Sequence, residues 1–412
     1  MEMGVVVQKY GGTSVGSVER IQNVAERIQK TLNEGHQCVV VVSAMGKQTD
    51  ELISLAKQIS PHPPAREMDM LLTTGEQITI ALLTMALQAK GIKARSFTGW
   101  QAGVNTNSIH GKASVTHVES VRLQQSLSNG EVAVVAGFQG VSIDGEITTL
   151  GRGGSDTTAV TLAAALQADY CEINTDVSGV FTADPRVVAQ ATKMDEISFE
   201  EMLELARLGA GVLHPRSVEC ALMHRVPLVV RSSFVDEPGT WLKEASQMEQ
   251  TLSARGVAHD SDVARVKILG LPNQPESLPH VFSLLADEHI NVDMIVQSEH
   301  DQDLIDVAFS LEESDGENAK RLLKSLQSKL AIKKVLYEDE LAKVSVVGVG
   351  MMTRPGVAAK MFTTLSQAGI RIKMVSTSEI KISCLIDRAQ TKEAVQLLHT
   401  AFELDAKQPA SV

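Results

Sequence analysis

Lys9 stands at the end of the apolar run Val5-Val6-Val7 and is followed by Gly11, Gly12, Thr13 and Ser14, then by a segment of helical periodicity. That order is strand, glycine turn, helix start. Main-chain N–H groups at a helix start have no partner within the helix, and the helix dipole adds positive potential, so such a turn suits a phosphate. The Lys9 ammonium can meet a phosphoryl group at the strand end. The spacing is not the Gly-x-x-x-x-Gly-Lys-Ser/Thr of a Walker A loop, so a phosphate site here belongs to another kinase architecture. A plain βα turn packed tightly on its glycines would explain the segment equally well, and the rest of the chain decides between the two.

Four further segments set polar or glycine residues beside apolar runs. Ser43-Ala44-Met45-Gly46-Lys47-Gln48-Thr49 follows the run 38–42, and Thr73-Thr74-Gly75-Glu76 opens a helical pattern. Gly151-Arg152-Gly153-Gly154-Ser155-Asp156-Thr157-Thr158 precedes an Ala-rich helix and is the strongest locally. Its glycines permit close backbone approach, and the helix start offers a second anion site. An N-cap at Ser155 or Asp156 explains the end of this segment but not the Arg-Gly-Gly before it. The fifth segment runs from Thr175-Asp176 to Asp184-Pro185-Arg186. Glu76 alone reads as a first-turn partner of the helix dipole; with the other segments it reads as a receptor for an amino-acid ammonium. His214 could serve as a base, but Pro215 after it suits the first position of a helix and makes His214 a helix-start residue. With no His-Glu-x-x-His or Cys–His cluster, transition-metal catalysis is not expected, and no metal-ligating residue is assigned.

These segments need a scaffold. The chain has 412 residues, 43% of them apolar and 3% aromatic, which suits two or three domains whose cores rest on Leu, Ile, Val, Ala and Met. A net charge of −12 speaks against a nucleic-acid surface but leaves room for a local anion site. Cys38, Cys171, Cys220 and Cys384 form no CxxC pair, so neither a disulfide framework nor a zinc site is expected. No signal segment and no apolar run of about 18 residues is evident, which points to a cytoplasmic setting without membrane partners.

Short apolar strands at 4–9, 38–43, 93–97, 131–138, 171–174 and 226–231 alternate with helical patterns at 17–33, 48–59, 75–90, 115–128, 156–168, 198–208 and 215–224. That alternation predicts a parallel sheet covered on both faces, with ligands beyond the carboxyl ends of its strands. A polar stretch, 236–262, reads as a boundary. Beyond it lies a repeat. A shift of 80 pairs Gly270 with Gly350, Pro275 with Pro355, Phe282 with Phe362, Leu285 with Leu365, Ile290 with Ile370 and Met294 with Met374. A shift of 77 then pairs Ile305, Val307 and Phe309 with Ile382, Cys384 and Ile386. Each copy reads strand, loop, helix, strand, strand, helix. Two such modules either stabilise the chain or pair their loops into an effector site.

In order and spacing, KYGGTSVG, VVSAMGKQTDEL, LLTTGEQ, TTLGRGGSDTTA, TDVSGVFTADPR and GAGVLHPRSVE resemble the aspartokinases of the amino-acid kinase superfamily, and STSEIKIS resembles the second of their tandem ACT domains. The resemblance covers nearly the whole chain. It implies an α/β amino-acid-kinase fold (three-layer αβα, mostly parallel sheet) over 1–245, then two ferredoxin-like α+β ACT domains at 264–340 and 341–412. It also implies the transfer of phosphate from Mg-ATP to the β-carboxylate of L-aspartate, the entry step toward lysine, threonine, methionine and diaminopimelate. A carboxylate nucleophile is already ionised at neutral pH and needs no base, so such catalysis rests on positioning and positive charge.

By the same resemblance Lys9, Arg152 and Asp156 are catalytic. Thr49, Glu76, Gly153, Gly154 and Ser155, with Arg152, hold aspartate. Lys9, Tyr10, Gly11, Gly12, Ser14, Ser43, Thr175, Asp176, Phe181, Asp184 and Arg186 hold ATP, and Mg²⁺ is held largely by phosphates and water. The chain most resembles the monofunctional, lysine-sensitive type found as α2β2 assemblies, whose β subunit starts internally; Met248 matches that start. Homo-oligomers through the ACT domains follow. The effector residues implied are Met351, Gly356, Val357, Ala358, Arg371, Ile372, Thr377, Ser378 and Glu379 of the second copy, facing Asn291, Asp293 and Gln297 of a partner's first. Threonine-responsive relatives have Pro-Gly-Glu-Ala where this chain has Pro275-Glu276-Ser277-Leu278, and Arg371 and Lys373 stand where less basic residues are usual, so lysine alone is the expected inhibitor, with concerted lysine and threonine the alternative. The rival readings are another amino-acid kinase, such as a glutamate or acetylglutamate kinase, and a non-catalytic amino-acid sensor on the same fold.

Overall fold

The computed structural model of the chain describes residues 4–244, 253–301, 303–327 and 329–405. Met248 lies outside them. The chain divides into two compact units: Met1–Val180 with Lys193–Arg207 and Gly211–Ala245, and Phe181–Thr192 with Leu208–Ala210 and Ser246–Val412.

The first unit begins β1 (Val5–Tyr10), α1 (Val18–Asn33), β2 (Gln37–Val42), α2 (Gln48–Ile59), α3 (Ala65–Ala89), β3 (Ala94–Phe97), β4 (Val104–Thr106), β5 (Val115–Val118), α4 (Val121–Ser128) and β6 (Val132–Ala136). It continues with β7 (Gln139–Ser142), β8 (Ile147–Thr149), α5 (Gly154–Ala165), β9 (Tyr170–Thr175), β10 (Glu196–Ser198), α6 (Phe199–Arg207), α7 (Pro215–His224), β11 (Leu228–Ser232) and β12 (Thr240–Lys243). The main sheet has the order β10-β12-β11-β9-β1-β2-β6-β3 and is parallel except where β11 meets β12. Val6, Val7, Val39–Val42 and Val132–Ala136 are buried along their length, as strands covered on both faces must be. The parallel order brings the carboxyl ends of β9, β1, β2 and β6 side by side. The loops that leave them therefore share one end of the sheet, which is where glycines and charges were expected to collect.

A smaller sheet, β5-β4-β7-β8, was not expected from the sequence. Its strands have three or four residues, and β5 is half exposed, so no apolar run marks them. The segment 115–128, read as one helix, is β5 followed by α4. The helix expected at 75–90 starts at Ala65, ten residues earlier. Glu76 is therefore mid-helix, and its role as a first-turn dipole partner does not hold. By length and hydropathy α3 is long and apolar enough to cross a membrane. Here Leu72, Ile80, Leu83 and Leu87 are buried, and so are Asp69 and Glu76.

The second unit contains β13 (Gly256–Pro272), α8 (Ser277–Asp287), β14 (Ile295–Asp301), β15 (Leu304–Glu312), α9 (Gly316–Gln327), β16 (Lys334–Val347), α10 (Val357–Gln367), β17 (Met374–Thr377), β18 (Lys381–Asp387) and α11 (Thr391–Ala401). The repeat is visible as β13-α8-β14-β15-α9 and β16-α10-β17-β18-α11. All the strands form one antiparallel sheet in the order β14-β15-β13-β16-β18-β17. Its two central strands serve both copies. Residues 256–260 of β13 pair with 343–347 of β16, while 263–272 pair with β15. Much of the stretch read as a polar boundary is therefore strand, paired to a segment some 85 residues later in the chain. Val263, Met294, Leu341, Met374 and Leu385 pack at the seam between the copies.

The tip of a hairpin, Phe181–Thr192, also belongs to this unit. It closes through Thr182 N–H to Thr192 O at 2.9 Å, and its Ala183 and Val188 enter the core of the second copy beside Val257, Leu398 and Leu404.

Candidate active site

A cavity of about 1070 Å³ opens beyond the carboxyl ends of β1 and β2 and the start of α5. Lys9, one residue from the end of β1, lines it. Its Nζ lies 2.7 Å from Asp156 Oδ1 in the first turn of α5. The two side chains form a largely buried ion pair. Gly12 lines the same wall, and a methyl group added to Gly11 would stand 3.4 Å from Lys9 Nζ. The left-handed residue Gly153, rather than Ser155 or Asp156, caps α5, which leaves both polar residues inside the first turn and lining the cavity. In that turn Gly154 N–H donates to Gly151 O and Thr157 N–H to Gly153 O, each at 3.0 Å, which leaves the N–H groups of Ser155 and Asp156 without a helical partner.

Glu76 reaches the cavity because Gly75 lets α3 come close. A side chain at Gly75 would meet Ala44 Cβ at 2.8 Å. With that approach Glu76 Oε1 accepts a hydrogen bond from Ala44 N–H at 3.0 Å, while buried Oε2 has no partner. Burial pushes the Glu76 pKa up to about 7, against the pull of the main-chain donors. A buried carboxylate with an idle oxygen at a cavity is a receptor for a cation.

Arg152 lines the cavity, is exposed, and pairs with no carboxylate among the described residues. Ser43, Thr49, Gly153 and Gly154 line the cavity as well. Two side chains fix the rim. Asp69, fully buried, accepts from Gly111 N–H at 3.1 Å with both oxygens and from Thr149 Oγ1 at 2.5 Å, and meets His110 Nδ1 at 2.7 Å. Arg216 donates to Leu150 O at 2.7 Å and to Ala113 O at 3.1 Å. The loop 110–113 is thus held against 149–151 from both sides. The sequence reading missed Lys112 and Arg216 and gave Asp69 no role. The signal for Asp69 was its spacing of seven from Glu76, two helical turns along one face.

His214 caps α7, its Nδ1 accepting from Arg216 N–H at 3.3 Å. Burial and then the Arg216 charge hold its pKa below the ordinary histidine value. It is a helix-start residue, as Pro215 suggested.

Other expected nucleotide residues lie elsewhere. The Tyr10 ring is fully buried and its hydroxyl donates to Gln8 Oε1 at 3.3 Å, so this side chain is not a cleft group. Ser14 Oγ donates to Ser233 Oγ at 2.8 Å and borders a separate groove with Arg20 and Arg27. Thr175 donates to Asp176 at 3.2 Å at the end of β9, and neither lines the cavity. Phe181, Asp184 and Arg186 lie on the hairpin tip of the second unit, where the Arg186 side chain and main-chain N–H hold the Asp184 carboxyl below its usual range.

In the second unit Gly356 caps α10 with φ +101°, Val357 is buried, and Met351, Ala358 and Ile372 pack against the core of the second copy. Arg371, Thr377, Ser378 and Glu379 are exposed. Asn291, Asp293 and Gln297 are exposed around β14, and Asp293 pairs with Lys343 Nζ at 2.5 Å. Asn291 and Asp293 precede β14 and Arg371 and Ile372 precede β17, the two edge strands of the sheet. Lys373 is compensated by Asp387 at 2.6 Å and by Glu338. The residue equivalent to Gly356 in the first copy, Glu276, caps α8 with φ −85°, so the two loops differ in backbone as well as charge.

Among the described residues no group of three His, Cys, Asp or Glu could enclose a metal ion. A cation accompanying a nucleotide would take most of its oxygens from phosphates and water, which suits Mg²⁺.

Comparison with known proteins bears on this arrangement. Residues 4–232 match the amino acid kinase family, and 265–329 and 344–402 each match an ACT domain. The aspartokinase of Bacillus sp. (strain MGA3) is 56% identical over 402 residues, 98% of each chain. The crystal structure of E. coli aspartokinase III in complex with aspartate and ADP, an R-state, is 28% identical with a TM-score of 0.81, over 96% of this chain and 99% of that one. The same enzyme in complex with lysine and aspartate, a T-state, is 27% identical with a TM-score of 0.77, over 97% and 99%.

Proposed function

This chain belongs to the aspartokinases, an amino acid kinase domain followed by two ACT domains, and we propose that its cavity transfers the γ-phosphoryl group of Mg-ATP to the β-carboxylate of L-aspartate, giving 4-phospho-L-aspartate. The observation that carries the reading is Glu76 Oε2, buried, partnerless and at the same cavity as Arg152 and Lys9. An α-amino acid supplies the ammonium that Glu76 lacks and a carboxylate for the Arg152 fork. Its second carboxylate then faces Lys9.

The attacking oxygen is already ionised, so the chain's task is to bring two anions together. Lys9 passes from Asp156 to the phosphoryl oxygens as negative charge builds there, exchanging one anionic partner for another. The main-chain N–H groups of Ser155 and Asp156 at the start of α5, with the Ser155 hydroxyl, and Gly12 with Gly11 border the transferring group. Mg²⁺, when bound, screens the phosphate charge. Ser43 and Thr49 line the junction of the two substrates. Tyr10 and Ser14 contribute through their main chain, and Thr175, Asp176, Phe181, Asp184 and Arg186 complete the nucleotide site.

Lysine inhibits through the second unit, at Met351, Gly356–Ala358, Arg371, Ile372 and Thr377–Glu379, with Asn291, Asp293 and Gln297 supplied by a second chain. The chain acts as a homo-oligomer through its ACT domains, and the backbone difference at Glu276 supports lysine alone. An α2β2 form with a β subunit from Met248, a cytoplasmic setting, and the first step toward lysine, threonine, methionine and diaminopimelate complete the reading. A hydroxamate assay with Mg-ATP and L-aspartate, run with lysine, threonine and both, tests it. Aspartyl hydroxamate that disappears with lysine alone is expected; no product from aspartate would overturn the reaction, and loss only with both effectors would overturn the lysine assignment.

A further inference from the structure

The geometry points to Lys112 as a second cation for the substrate's α-carboxylate, working beside Arg152 and setting affinity for the amino acid rather than for the nucleotide. The inference rests on the aspartate reading above.

Four observations carry it. Lys112 lines the active-site cavity, and no carboxylate pairs with it among the described residues. Its position is fixed: Asp69 holds Gly111 and His110 on one side of it, and Arg216 holds Ala113 on the other. It stands next to the Arg152 loop, since a methyl group on Gly151 would lie 3.0 Å from Gly111 O, 3.8 Å from Lys112 Cα and 3.9 Å from Lys112 Cγ. Gly151 has φ +75°, so both backbone and space reserve the position for glycine. The fourth observation is the charge pattern of the cavity. Lys9 faces Asp156, Asp69 is saturated by its donors, and Arg216 is spent on carbonyl oxygens. Arg152 and Lys112 are left as neighbouring uncompensated cations.

The place of this pair selects the α-carboxylate. The loop is pinned through Asp69, two turns before Glu76 on the same face of α3, or about 10 Å along the helix. Lysine's flexible stem lets its ammonium reach a carboxylate held at the neighbouring Arg152 loop. Lys9 occupies the opposite, phosphoryl end by its place between β1 and α5. A carboxylate gripped by a planar guanidinium still presents outward lone pairs, which a compact ammonium on a flexible stem can take.

Steady-state kinetics of the full chain, with Mg-ATP and either L-aspartate or its α-amide, L-isoasparagine, distinguish the outcomes. For Lys112→Gln the KM for aspartate should rise about tenfold, the scale of one charge-assisted hydrogen bond, with kcat within about twofold and KM for ATP unchanged. Lys112→Arg should restore most of the loss. With the α-amide, which keeps the β-carboxylate but has no α-charge, wild type and Lys112→Gln should differ by less than about twofold. An unchanged aspartate KM, a rise in the KM for ATP instead, or an equal loss on the α-amide would each overturn the assignment while leaving the aspartate reaction intact. A wild-type protein that makes no aspartyl product would overturn the underlying reading and this assignment with it.

Discussion

The Thr182 hydroxyl lies 2.8 Å from Nε2 of His399, joining residues 217 apart in sequence. Both are buried. Thr182 Oγ1 also accepts from Thr192 N–H at 3.0 Å, and Thr192 Oγ1 donates to Leu404 O at 2.6 Å. The hairpin tip that carries Phe181, Asp184 and Arg186 is thereby tied to α11 and the chain beyond it, within the second unit. The segment whose motif resembles a nucleotide site is built into the ACT core.

Replacing Thr182 by Val should remove that tie and cost about 1–2 kcal/mol, read by urea denaturation of the second unit. Burial holds the His399 pKa below its ordinary 6.5. The folded chain keeps this imidazole neutral while the unfolded chain protonates it, so stability is lost as pH falls below about 6.5. His399→Gln should flatten that part of the acid limb, and an unchanged limb would show that His399 does not contribute to it.

Lys9→Ala should lower kcat by at least about a hundredfold, the scale of losing a charge aimed at the transferring group, while the protein remains folded by circular dichroism. A near-normal kcat would remove Lys9 from the phosphoryl role. Asp156→Asn frees Lys9 from its partner and should alter kcat more than the KM for aspartate.

Glu76 must be ionised to hold an ammonium, and its pKa stands at about 7 before substrate arrives. The KM for aspartate should therefore rise as pH falls through about 7, with the KM for ATP flat across the same range. The sign for stability is the reverse. A carboxyl whose pKa is raised in the fold contributes most below its ordinary 4.5 and loses that contribution as pH rises through about 7. Glu76→Gln should abolish the pH dependence of aspartate binding and gain stability over wild type at pH 8 relative to pH 5, measured by thermal denaturation.

Asp69→Ala would leave Gly111 N–H, Thr149 and His110 without their shared acceptor in a fully buried place. A loss of about 3 kcal/mol is expected in chemical denaturation. A change below about 0.5 kcal/mol would show that the rim loop is held by other means.

Ser378→Phe sets a bulky ring on the exposed turn closed by Ser378 N–H to Lys381 O at 2.9 Å. It should relieve lysine inhibition and spare kcat. Unchanged lysine sensitivity would move the effector site away from this turn.

The apolar runs at β1, β2, β6, β9 and β11 were legible because strands buried on both faces must be apolar throughout. The small sheet was not, since β4, β5, β7 and β8 are too short and too exposed to leave a period. The repeat was legible from its spacing, but the sharing of β13 and β16 was not. It depends on pairing between segments far apart, which no local pattern records. In the site, Lys9, Glu76, Arg152 and Asp156 do border one cavity. Glu76 escaped its local reading because α3 begins before its apolar stripe does, and Lys112 because a lone lysine beside glycine carries no signal until Asp69 and Arg216 fix its loop.

The hairpin tip has a consequence for any shorter product of this sequence. A polypeptide begun at Met248 would carry every strand of the six-stranded sheet but none of residues 181–192. The apolar surface that Ala183 and Val188 cover, with Val187 and Ala191 beside them, would then face water. Such a product would gain a water-facing apolar patch that the full-length chain does not have, a place where another chain could dock.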